Sequence, residues 1–384
     1  MKLALAALVA ALALTTPAQA QRLRRIDGSS ISVAEADAAI SRLMAEAKVT
    51  GLSVAILNDN HVVYLRSFGL ANVEKQQPLR TDSIVWAASF TKGVFGWFVM
   101  QLVEDGLLDL DTPIERYLPK PLPAYEKYAD LANDERWRQI TPRMLLNHTA
   151  GFPNFRFLNA DGKLDIKFPP GSRFAYSGEG INLLQFVIEA KLGKSVGDLM
   201  AERIFQPLGM TRTSMTWQPQ FADDIALGYD EEGKVVGHRQ RSARAAGSMD
   251  TTIADFAKFI EAVMQGRGLG AKARAELFRP QIEILSKTQF PTLRPDLTDE
   301  NHPIRLSYAL GWGTFVSPYG KAVFKEGHDD GWENHVVIFP ARKIALVLMS
   351  NSSNGDSTYK ELLETLIGDR WTPWRWEGWG KDEG

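Results

Sequence analysis

Ser89-Phe90-Thr91-Lys92 is the segment of this sequence best suited to chemistry. A serine and a lysine three positions apart share one face of a helix, about 5–6 Å apart at Cβ. If the helix begins at the serine, its hydroxyl lies beside the lysine amine and beside backbone N–H groups that lack helical partners. The residues that follow (Val94, Phe95, Trp97, Phe98, Val99, Leu102, Val103) make that helix apolar nearly all round. Such a helix is buried on every side. A lysine entering it is desolvated, which disfavours the charged form and pulls its pKa down from about 10.4. A free amine there can take the serine proton and turn the oxygen into a nucleophile. The spacing alone carries little weight, because composition gives about one such match per chain by chance. A second match is present, Ser357-Thr358-Tyr359-Lys360. Its lysine sits among Glu361 and Glu364 on an amphipathic helix, so Asp356 or Ser357 reads as a helix cap.

Residue types exclude several other chemistries. The chain has no cysteine, hence no disulfide, zinc–thiolate site, iron–sulfur cluster or thiol nucleophile. It has no Gly-x-Ser-x-Gly, no His-Glu-x-x-His and no Gly-x-Gly-x-x-Gly. His328, Asp329, Asp330 and His335 are of metal-ligand type, but a metal reading is set aside. No metal or organic cofactor is expected.

The elements that must position Ser89 and Lys92 are legible from pattern. Ser32-Val33-Ala34-Glu35 is a capping box opening an amphipathic helix, with Ala36, Ile40, Leu43 and Ala47 on one face. Leu52–Leu57 and Val62–Phe68 read as strands joined by the turn Asn58-Asp59-Asn60, a hairpin expected to form the edge of an antiparallel sheet. After the buried helix, closed by Gly106, helices and loops run to about residue 260, among them Ile181–Leu192 with Gly193 behind it. Strands return at Lys321–Lys325, His335–Phe339 and Ile344–Met349, and a last helix runs from Ser357 to Ile367. Strands at both ends with helices between predict an α+β fold. Its antiparallel sheet is built from both chain ends, with flanking helices and a helical insertion.

Composition bounds partners and location. With 44 Lys+Arg against 46 Asp+Glu, the net charge is −2. No clustered basic excess marks a nucleic-acid footprint. The apolar fraction of 45% and charged fraction of 23% are those of a globular protein. Lys2, the apolar run Leu3–Leu14, the break at Thr15-Thr16-Pro17 and the small-x-small Ala18-Gln19-Ala20 read as a secretory leader cleaved after Ala20. The run is shorter than the roughly 20 residues of a membrane span. A periplasmic or secreted protein without a transmembrane anchor is expected. The division is a leader over 1–20, one domain over 21–370 and a tail over 371–384. Trp371, Trp374, Trp376 and Trp379 of the tail are expected to pack back onto the domain. The expected partner is a small-molecule or peptide substrate, and oligomeric state is not readable.

Further stretches carry a family resemblance. In order they are Gly106-Leu107-Leu108-Asp109-Leu110-Asp111-Thr112-Pro113 with Tyr117-Leu118-Pro119, and Leu145-Leu146-Asn147-His148-Thr149-Ala150-Gly151-Phe152-Pro153. Phe205-Gln206-Pro207-Leu208-Gly209-Met210, Ala246-Gly247-Ser248-Met249 and Leu310-Gly311-Trp312-Gly313 follow. From about residue 35 to 367 the chain resembles the serine β-lactamase-like superfamily. The branch is that of class C β-lactamases, D-Ala-D-Ala carboxypeptidases, D-aminopeptidases and related esterases. The resemblance implies that Ser89 is the nucleophile, with Lys92 as its base. It also implies that His148 is structural. Tyr176-Ser177-Gly178 stands where the family has Tyr-x-Asn, implying that Tyr176 shuttles protons. For the family's Lys-Thr-Gly or His-x-Gly motif, His328-Asp329-Asp330-Gly331 is taken as the match. His328, Asp330 and Gly331 then border the substrate, and the backbone N–H groups of Ser89 and of the strand near Gly331 form the oxyanion hole.

Two departures bear on substrate. Gly178 lacks the motif's amide, and Asp330 adds a carboxylate beside Asp329. Acidic side chains facing the cleft would repel a substrate carboxylate. Neutral esters or amine-bearing substrates are therefore expected to be preferred over penicillins. The function expected is an exported serine hydrolase that works through an acyl-enzyme on an ester, a β-lactam or a D-amino-acid peptide. The second reading is a protein of this fold with weak or no turnover that binds cell-wall material or regulates.

Overall fold

The computed structural model describes residues 22–237, 242–293 and 296–379. The leader expected over 1–20 and the last five residues of the tail lie outside the described residues.

Helix α1, Val33–Ala47, opens at the capping box. Ser32 Oγ accepts from Glu35 N–H at 3.2 Å, and the Glu35 carboxylate accepts from Ser32 N–H at 2.8 Å. The helix buries Ala36, Ile40, Leu43 and Met44. Strands β1, Gly51–Asn58, and β2, His61–Asn72, form the hairpin. Its turn residues Asp59 and Asn60 take φ of 53° and 66°, the left-handed pair that a tight hairpin turn requires. The two-residue strand β3, Gln77–Pro78, lies outside β2. Helix α2, Phe90–Glu104, carries the Ser-x-x-Lys segment and is buried nearly all round. Helix α3, Gly178–Leu192, ends at Gly193, and α4 spans Ile253–Gln265.

The C-terminal strands are β4 (Ile282–Glu283), β5 (Ser307–Tyr308), β6 (Gly313–Ser317), β7 (Gly320–Asp329), β8 (Trp332–Phe339) and β9 (Ile344–Ser350). Helix α5, Tyr359–Ile367, and the single turn α6, Trp374–Glu377, close the described chain. Among the described residues the main sheet has nine strands in the order β4-β5-β6-β7-β8-β9-β1-β2-β3. Every pairing within it is antiparallel. Both chain ends therefore build one sheet.

The strands bury opposite faces through alternate residues. Ala55 and Leu57 of β1 and Val336 and Ile338 of β8 join α2, α4 and the helical insertion in one core. Leu52, Val54 and Ile56, with Val337 and Phe339, join α1, α5 and the tail in the other. Strands β7 and β8 are longer than the sequence pattern indicates, and β4, β5 and β6 are additional. Two to five residues are too few for alternation to register against neighbouring loops.

Trp376 and Trp379 are buried in the second core. The Trp379 ring stands edge-on to His335 at 4.5 Å, and Trp376 O accepts from Gln289 N–H at 2.8 Å. Trp376→Ala is expected to cost about 3–5 kcal/mol of stability, the usual range for deleting a core aromatic. The half-buried Trp374 should cost much less. Urea midpoints of the two variants give the comparison, and equal midpoints would show that the tail is no part of the core.

Candidate active site

Ser89 sits where the chain turns out of the short strand Val85–Trp86 into α2. Ala87 N–H donates to Met249 O at 2.9 Å and Ala87 O accepts from Phe90 N–H at 3.0 Å, which pins the turn at both ends. Ala88 between them holds φ at 45°, a left-handed conformation that strains any residue with a Cβ. Ser89 makes no capping hydrogen bond with its side chain. Its oxygen is left for other partners.

Lys92 Nζ lies 2.8 Å from Ser89 Oγ and donates to Ala246 O at 2.5 Å. The amine is fully buried, and burial, reinforced by the nearby Lys325 charge, holds its pKa well below the ordinary lysine value. A neutral amine has two N–H groups and one lone pair. One N–H is spent on Ala246 O, and the lone pair is available to the serine proton.

Tyr176 lines the cleft with Ser89, and its ring lies 4.8 Å from Lys92 Nζ. Ser177, which caps α3, holds the tyrosine in place. Its Oγ accepts from Gly180 N–H at 3.0 Å and donates to Pro153 O at 2.7 Å. Its N–H donates to His148 Nδ1 at 3.2 Å, and the His148 ring packs 4.4 Å from the tyrosine ring. Burial, with the nearby Lys325 charge, holds His148 well below the usual histidine range, so it is neutral. It supports the tyrosine. Burial and the Glu326 charge raise the Tyr176 hydroxyl well above its ordinary value, so it stays protonated.

The third motif is not where the sequence placed it. Lys325 Nζ donates to Tyr176 OH at 3.3 Å and to Glu326 Oε1 at 2.5 Å. Gln289 Nε2 donates to the same carboxylate oxygen at 2.7 Å. Against the cost of burial, Lys325 and Gln289 hold the Glu326 carboxyl below its ordinary range. At Gly327, β7 presses on the start of α2. A Cβ there would stand 2.6 Å from Ala87 O and 3.1 Å from Phe90 N, so only glycine fits. Lys325-Glu326-Gly327 is thus the Lys-x-Gly stretch beside the serine. The signal was in the sequence three residues before His328, but the strand was read as ending at Lys325.

His328 and Asp329 do line the cleft. Asp330 and Gly331 do not; they form the turn after β7, where Gly331 N–H donates to Ser353 Oγ at 2.7 Å. Asp330 and Gly331 are corrected to turn residues, and the donor expected near Gly331 is already occupied. The charge argument shrinks with them. Among the described residues Asp329 is the aspartate lining the cleft, beside His328, whose pKa the Glu333 hydrogen bond raises to about 9. Asp330→Gly is therefore expected to leave the ratio of nitrocefin to ester turnover unchanged, and a shifted ratio would return Asp330 to the cleft. Ser357 lies elsewhere, with its hydroxyl donated to Asn354 O at 2.7 Å, and Lys360 pairs with Glu364 at 3.4 Å. His335 is buried against Trp379, apart from His328.

The cleft measures about 570 Å³, the size of a small-molecule site. Ser89, Lys92 and Tyr176 stand in its floor, and Trp86, Asn154, Phe155, Phe157, Arg244 and Phe290 are among its other residues.

An α+β fold around a Ser-x-x-Lys helix, a tyrosine and a Lys-x-Gly strand is the architecture of β-lactamase-like serine hydrolases. The family model described as Beta-lactamase matches residues 36–367, and the chain belongs to that family, whose members are serine hydrolases of amide or ester bonds. It is 25% identical over 331 residues to Penicillin-binding protein 4* of Bacillus subtilis, covering 79% of this chain and 68% of that one. It is 23% identical to a D-aminopeptidase of Gluconobacter oxydans over 89% of this chain and 63% of that protein, under two thirds of its length. Among solved structures it resembles the octameric penicillin-binding protein homologue from Pyrococcus abyssi, with TM-score 0.70 and 24% identity over 89% of this chain and 80% of that one.

Proposed function

We propose that this protein is an exported hydrolase that cleaves ester or amide bonds through an acyl-enzyme on Ser89. The observation that carries the reading is the buried Lys92 amine 2.8 Å from Ser89 Oγ. Ser89 Oγ attacks the substrate carbonyl as its proton passes to Lys92 Nζ. Backbone N–H groups at Ser89 and His328, where Gly327 brings β7 against the helix, hold the developing oxyanion. Tyr176, protonated, hydrogen-bonded to Lys325 and lining the cleft with Ser89, relays the proton to the leaving alcohol or amine, which departs as the tetrahedral centre collapses. Water then attacks the acyl ester, gives its proton to the same relay and frees the acid while Ser89 recovers its hydrogen. Lys325 acts on Tyr176 as a fixed, Glu326-paired cation. Export is inferred from the leader sequence.

The test is intact-mass spectrometry after treatment with a fluorophosphonate, followed by peptide mapping. One adduct on the peptide bearing Ser89 is expected. An unlabelled protein, or an adduct elsewhere, would favour the reading as a binding or regulatory protein without turnover.

A further inference from the structure

The cleft carries aromatic surface that the acyl-transfer chemistry does not use. Phe157 is 70% exposed and Phe290 42% exposed, and both border the cavity above Ser89. Phe155 and Phe157 are stacked, with ring centroids 5.2 Å apart and planes within 10°. Exposed apolar surface grouped in this way, at a cavity, marks a site of contact with a partner molecule.

This stacked pair is held rigidly. The residues alternating with the two rings are tied to the start of α3. Asn154 Oδ1 accepts from Gly178 N–H at 2.9 Å, and Asn154 O accepts from Glu179 N–H at 2.9 Å. Arg156 pairs with Glu179 through its backbone N–H, Nε and Nη2, at 2.9–3.1 Å. It also donates to Lys127 O at 2.7 Å. With 154 and 156 anchored inward, Phe155 and Phe157 are presented to the cleft. A surface ordered before binding loses little entropy when a ligand settles on it.

Gly178 makes room for this platform. A Cβ at 178 would stand 2.5 Å from Phe155 Cε1 and 2.8 Å from Cζ. Any side chain there must push the Phe155 ring aside. The glycine two residues after Tyr176 thus exchanges a side chain in the cleft for an aromatic face. Across the cleft Phe290 packs edge-on to Tyr176 at 5.5 Å, and Trp86 is fixed by its Nε1 donating to Gly247 O at 2.6 Å.

We propose that the platform of Phe155 and Phe157 selects esters or amides that carry an aryl group next to the scissile bond, held by ring stacking. The proposal rests on the acyl-enzyme reading of the same site. The aryl ring leaves water against the two phenylalanines and places its carbonyl at Ser89. Burying a ring of that size is worth roughly 10–100-fold in kcat/KM.

The experiment compares methyl acetate, methyl phenylacetate and benzyl acetate by pH-stat titration. The first has no ring, and the others carry one on the acyl or the alcohol side. At least one aryl ester is expected to exceed methyl acetate by more than about tenfold in kcat/KM. Phe157→Ala, at an exposed position that does not threaten folding, and Gly178→Ala, which displaces Phe155 without removing it, should each drive that ratio toward one. Two aryl esters no better than methyl acetate, or a preference that survives both substitutions, would overturn the proposal. A run with Ser89→Ala separates the two readings. Ester hydrolysis that persists in it defeats the acyl-enzyme, whereas Ser89-dependent hydrolysis without aryl preference defeats the platform alone.

Discussion

Ser89→Ala is expected to lower kcat by ~10⁶-fold on any ester or amide that the protein turns over, the scale seen when a serine nucleophile is removed from its unit. The loss is chemical. Ser89 Oγ caps no helix, and its hydrogen-bond partner is Lys92. Its removal takes one hydroxyl from the cleft floor and leaves both cores untouched, so the unfolding free energy from urea titration should stay within ~0.5 kcal/mol of the parent protein. Circular dichroism and steady-state kinetics on one preparation give both readings. Turnover surviving at a few per cent or more would take the nucleophile's role from Ser89. Ser357 would not inherit it, because its hydroxyl is donated to Asn354 O outside the cleft.

The second prediction concerns proton transfer. Lys92→Met and Tyr176→Phe should each cost ~10²–10⁴-fold in kcat/KM, the contribution of a positioned acid or base. Lys92→Arg should be no better, since a guanidinium keeps its proton. The direction of the Lys92 shift fixes the pH profile. The amine must be neutral to accept the serine proton, and burial lowers its pKa, which enlarges the free-base fraction at neutral pH. Activity should fall as pH falls through that lowered pKa, and the acid limb should vanish in Lys92→Met. The double variant should lose little more than the worse single one, because the two groups serve one proton path. Fully additive losses, or an acid limb that persists without Lys92, would separate them. Lys325→Met is expected to act through Tyr176, changing kcat more than KM.

Local chemistry explains what was legible along the chain. The capping box at Ser32, the hairpin about Asp59 and Asn60, and the all-round apolar α2 are written within a few neighbouring residues. Ser89 and Lys92 belong to the same class, because an i, i+3 pair on a helix is adjacent whatever the rest of the fold does. Placing Tyr176 with them needed the family resemblance. No local rule joins it to a helix start 87 positions away.

Tertiary packing decided the rest. Lys325 and Tyr176 are 149 residues apart and meet because β7 lies against both α2 and the loop leading into α3. Which glycine the strand needs beside the serine depends on where its backbone touches Ala87 and Phe90, and that contact selects Gly327. Asp330 and Gly331 looked equally suited in sequence, yet the β7–β8 turn carries them out of the cleft. Gly178 reads as a lost amide until Phe155 is seen filling its space. Sequence alone determined the longer helices and strands, the family and the serine–lysine pair, since those rest on neighbours along the chain and on the ordered motifs. Only the folded chain decided which strand residues reach the tyrosine and what walls the cleft, because those are contacts between distant segments held by burial.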